Sequence, residues 1–62
     1  MSLEEKLLNK MNPGEPYTAI ELADMVEESQ PTVNKTLKQL AESGRLVRKE
    51  HSDRVITYRQ PK

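Results

Sequence analysis

The 62-residue chain contains no cysteine, no tryptophan and no phenylalanine. Without thiols there is no disulfide framework, no iron–sulfur cluster and no thiolate zinc site, and the absence fits a reducing compartment. Tyr17 and Tyr58 are the two aromatic residues and 34% of the chain is apolar, so these residues can build one small core and not a second. No apolar run approaches the roughly 20 residues that cross a bilayer. The N-terminus lacks the basic start and apolar centre of a signal peptide, so the expected product is soluble and cytoplasmic. Also missing are a serine or threonine beside a plausible base and a glycine loop that could cradle phosphates. His51, the one histidine, sits among Glu50, Ser52 and Asp53 in a polar turn that fixes no geometry for a metal. The chain is therefore expected to be no enzyme, to need no cofactor and to take no small-molecule substrate.

What the chain has is charge, unevenly distributed. Ten basic residues balance ten acidic ones. Residues 1–30 hold two cations against seven carboxylates, a balance of −5, and residues 31–62 hold eight against three, a balance of +5. A fold that keeps the second half to one side makes a dipole whose positive face suits a polyanion.

Leu3, Leu7, Leu8 and Met11 recur at helical spacing, with Ser2 and Glu5 at the positions of a capping box, which predicts a helix over 3–11. Pro13 and Gly14 stop it. Thr18 and Glu21 form a second box and open a helix over 19–27 with Leu22, Ala23 and Val26 as its buried stripe. Ser29 is positioned to cap a third helix over 30–43, where Pro31 falls in the first turn, Val33, Leu37, Leu40 and Ala41 share a face, and Gly44 follows as the left-handed cap. Beyond Gly44 the period shortens. Arg45 to Lys49 and Arg54 to Arg59, rich in β-branched residues, read as two strands of a hairpin over 45–60 about the turn Glu50-His51-Ser52-Asp53.

Three helices and a hairpin in this order define an α+β domain, and the sequence resembles the winged helix-turn-helix family. The resemblance runs through Glu21-Leu22-Ala23, Ser29, Thr32-Val33, Lys35, Leu37, Leu40, Gly44 and Leu46-Val47, and covers nearly the whole chain. Glu27 and Glu28 depart from it, standing where the family's turn has a glycine and then an apolar residue. The resemblance implies a helix-turn-helix in a three-helix bundle followed by a two-stranded β-hairpin wing. It also implies that the third helix enters the major groove of double-stranded DNA while the wing follows the backbone.

On that third helix, Lys35 lies nearest the centre of the exposed face, with Lys38 and Gln39 beside it and Thr32 and Asn34 at the flanks. These five are the candidates for base contacts: lysine donates to guanine O6 or N7, Asn34 and Gln39 suit adenine, and Thr32 suits a thymine methyl. Ser29 and the wing residues Arg48, Lys49, Arg54 and Arg59 are the candidates for phosphate. Charges on an exposed hairpin also guard its edges against aggregation. The family commonly buries an aromatic at Tyr58. Some members read left-handed duplexes with an asparagine matched here by Asn34, but Lys38 replaces their tyrosine and the wing has no proline. Pairing of half-sites implies a homodimer, formed around Leu8 or Met25. The alternative to DNA binding is a protein docking module, which the zero net charge and the acidic turn favour.

Overall fold

A computed structural model describes residues 2–61 and gives a small α+β fold. Helix α1 spans Leu3–Lys10, α2 Ala19–Val26 and α3 Gln30–Glu42, followed by strands β1, Val47–Glu50, and β2, Ile56–Arg59. The helix starts follow from local chemistry. Ser2 Oγ accepts the Glu5 amide at 3.3 Å. At α2 the box is reciprocal: Thr18 Oγ1 accepts the Glu21 amide at 3.2 Å, and the Glu21 carboxylate accepts the Thr18 amide at 3.1 Å. Both bonds satisfy amides that the first turn of a helix leaves without partners.

At α3 the expected cap is not formed. Ser29 is the N-cap, but its hydroxyl donates to Thr32 Oγ1 at 2.7 Å and accepts no backbone amide. The reason is local. Pro31 has no amide to offer, and the Ser29 side chain turns to the Thr32 hydroxyl instead of the Thr32 N–H. Each helix also ends a residue before its sequence-derived limit, with Met11, Glu27 and Ser43 as the C-caps.

The hairpin is antiparallel, with Val47 opposite Arg59, Arg48 opposite Tyr58, Lys49 opposite Thr57 and Glu50 opposite Ile56. Its loop is longer than the sequence suggested. The His51 amide donates to the Val55 carbonyl at 2.8 Å, so Arg54 and Val55 belong to the connection and not to the second strand. A third segment joins the sheet for one residue: Tyr17 and Tyr58 exchange both backbone bonds, at 2.9 and 2.8 Å. This bridge fastens the chain entering α2 to the hairpin.

Leu7, Leu22, Val33, Leu37 and Leu40 are wholly buried, and Met11, Tyr17, Ala23, Val26, Leu46 and Tyr58 complete the same cluster. Each large aliphatic side chain removed from water in this way contributes about 1.5–3 kcal/mol. Among the described residues no polar or charged one is buried with them. Tyr17 reaches the surface with its hydroxyl, which accepts the Asn12 amide at 3.0 Å and donates to Glu15 at 3.3 Å. Among the described residues no helix is long and apolar enough to cross a membrane.

Candidate nucleic-acid interface

The hairpin packs through β2 against α2, because Tyr58 must reach both its bridge to Tyr17 and the core. Between the hairpin, α3 and the start of α2, where Thr18 and Ala19 join the lining, this leaves a groove of ≈ 520 Å³. One wall is a stripe of α3, Gln30, Asn34 and Lys38, residues four apart and so stacked on one face. Arg48 and Arg54 form the opposite wall, Ile56 and Tyr58 the floor, and Ile20 and Val55 the lips. The lips are unusual. Ile20 is 64% and Val55 46% exposed, and together with Met25 they are, among the described residues, the large apolar side chains left open to water.

Of the sequence-derived candidates, Asn34, Lys38, Arg48 and Arg54 are brought together here. Lys35, Thr32 and Gln39 are exposed on α3 but do not line the groove. Neither does Ser29, which lines the acidic depression described below. Strand alternation separates the remaining hairpin cations. Arg48 shares a sheet face with Tyr58, whereas Lys49 and Arg59 project from the other face with Val47 and Thr57. Gln30, Ile20 and Val55 were not singled out from sequence. The four-residue recurrence of Gln30, Asn34 and Lys38 was the signal that could have found the first.

Charges are segregated more than paired. Arg48–Glu50, at 2.7 Å, is the one ion pair among the described residues. The Glu50 carboxylate, aided by the neighbouring Tyr58 hydroxyl, holds the Arg48 guanidinium above its already high ordinary pKa, so Arg48 is a permanent cation. The acidic residues Glu21, Asp24, Glu27 and Glu28 line a separate depression beside α2, which meets the groove at Ile20 and Gln30. A bound polyanion would therefore have carboxylates at one end and cations along its length. His51 is exposed, its Nε2 2.8 Å from Thr57 Oγ1.

The two surfaces considered for a dimer differ in availability. Leu8 packs partly against the core, and its carbonyl accepts Gln60 Nε2 at 2.7 Å, so the C-terminal segment lies along that side of α1. Met25 is 37% exposed, beside Lys6, Lys10 and Glu27. No family model matches the chain, and no curated protein or solved structure matches it.

Proposed function

We propose that this chain is a winged helix-turn-helix domain that binds double-stranded DNA as a small transcriptional regulator, with α3 in the major groove and the hairpin as a wing along the backbone. The observation that carries this reading is the meeting of Lys38, Arg48 and Arg54 with the side-chain amides of Gln30 and Asn34 in one groove. Cations neutralise phosphates and release counterions, which supplies affinity, while amides on a helix face have the donor and acceptor pair that a base edge answers.

A titration of duplex DNA at rising salt tests the proposal. Binding is expected to weaken steeply, with a slope corresponding to about four to six phosphate contacts. Affinity that ignores salt, or none at low ionic strength, removes the reading. It would favour the second one, docking on a protein, for which the zero net charge and the exposed Ile20, Met25 and Val55 speak.

A further inference from the structure

We infer that the groove between α3 and the hairpin selects A·T base pairs, reading adenine edges with Gln30 and Asn34 and thymine methyl groups with Ile20 and Val55. The inference rests on the duplex reading above and goes beyond it by naming the bases read.

A primary amide presents one acceptor and two donors in a plane, and adenine in the major groove presents the complement, an N6 donor beside the N7 acceptor. Gln30 and Asn34 are both exposed, and among the described residues neither side-chain amide is engaged by another group. Four residues of helix advance about 6 Å. That is close to two base-pair steps of about 3.4 Å each, so the two amides address different pairs of one short site.

Guanine asks for something else, a cation forked onto O6 and N7. The groove's cations are poorly disposed for that. Arg48 lies on β1 and Arg54 in the hairpin loop, neither on the helix, and Lys38 stands at the end of the stripe, beside Arg48 and Glu42. We assign all three to the backbone.

The exposed aliphatic lips complete the argument. A phosphate backbone offers nothing to Ile20 or Val55, whereas every adenine is paired with a thymine whose C5 methyl lies in the same groove. Aliphatic side chains flanking two free amides thus match both members of the pair.

The test uses the full chain and fluorescence anisotropy on duplexes of equal length and fixed flanks. The centre is A·T, G·C, A·T with deoxyuridine for thymine, or A·T with 7-deazaadenine for adenine. The A·T centre is expected to bind about tenfold more tightly than the G·C centre, with several-fold of that lost on removing either the methyl or N7. Asn34→Ala is expected to narrow the A·T over G·C preference several-fold, leaving the share that Gln30, Ile20 and Val55 supply. Val55→Ser should reduce the difference between thymine and uracil, and Ile20→Ser combined with it should abolish the difference. All three residues are exposed, and the modified duplexes test the inference on the unaltered protein if any variant misfolds.

Equal affinity for A·T and G·C centres overturns the inference and leaves the duplex reading standing. So does an A·T preference that survives both base modifications, which would place recognition in minor-groove shape. Failure to bind any of the four duplexes at low salt removes the duplex reading, and the inference with it.

Discussion

Glu27 and Gly44 hold the same backbone position at the ends of successive helices. Both have left-handed φ, 58° for Glu27 and 83° for Gly44. After α2, the Glu28 amide donates to Ala23 O at 3.1 Å and the Glu27 amide to Asp24 O at 3.3 Å; after α3, the Arg45 amide donates to Leu40 O at 2.9 Å and the Gly44 amide to Ala41 O at 3.2 Å. The two turns are the same motif, one closed by the residue suited to it and one by a residue with a Cβ that crowds its own carbonyl.

The pair yields opposite mutational signs. Glu27→Gly is expected to stabilise the domain by about 1 kcal/mol and Gly44→Ala to destabilise it by about as much. A Cβ at Gly44 meets no atom within 4 Å, so the cost there is backbone strain alone. Urea denaturation of the three proteins checks this. Glu27→Asn should fall between the wild type and the glycine variant, because asparagine tolerates the left-handed region. Equal stability of all variants would show that the turn relaxes around any residue.

Tyr17 offers a second test, of the turn between α1 and α2. Tyr17→Phe keeps the buried ring and the bridge to Tyr58 but removes the oxygen that accepts the Asn12 amide and donates to Glu15. A loss of about 1 kcal/mol is expected, at the lower end because water can reach Asn12. Hydrogen exchange should localise the change, with the Asn12 amide exchanging faster while the core amides of α3 shift only with global stability.

The order and nature of these elements were legible where local chemistry decides. Thr18 with Glu21 announces α2, and Gly44 after an apolar stripe announces the end of α3. Ser29 misled because a hydroxyl three residues on competed for it, a contest that spacing does not resolve. Arg54 and Val55 read as strand because β-branched residues follow them, yet the His51–Val55 bond closes the loop over them. The outward face of α3 was also legible, but the side on which the hairpin lies was not. That side is set by Tyr58 meeting Tyr17 across the chain, a contact with no local signature. Hence Lys35 stood out in the sequence, whereas the structure gathers Asn34 and Lys38.

That shift of residues makes a third prediction. Lys35 is exposed outside the groove, so Lys35→Ala is expected to weaken A·T and G·C duplexes alike, as a phosphate contact does, and to lower the salt slope by about one. Arg54→Ala should behave the same way. Asn34→Ala, in contrast, should change the preference and keep the slope. Loss of sequence preference with Lys35→Ala would return base reading to the outward centre of the helix.

Glu50 is, among the described residues, the one carboxylate paired with a cation of the groove, and this makes a last prediction. The Glu50 carboxylate lies 2.7 Å from the Arg48 guanidinium, in the position a phosphate oxygen would take, so a bound backbone must displace it before Arg48 can contribute. The pair is exposed, with side-chain accessibilities of 37% for Arg48 and 63% for Glu50, and exposed pairs of this kind hold their partners weakly. Glu50→Gln removes the competitor without touching the core. It is therefore expected to raise affinity for every duplex several-fold at low salt and to steepen the salt slope by about one, the signature of one more phosphate neutralised. Arg48→Ala should cost less affinity in the wild type than in the Glu50→Gln background, where it also cancels the gain. If Glu50→Gln binds no better, and Arg48→Ala weakens binding as much as Arg54→Ala does, then Glu50 positions Arg48 for the backbone and does not compete with it.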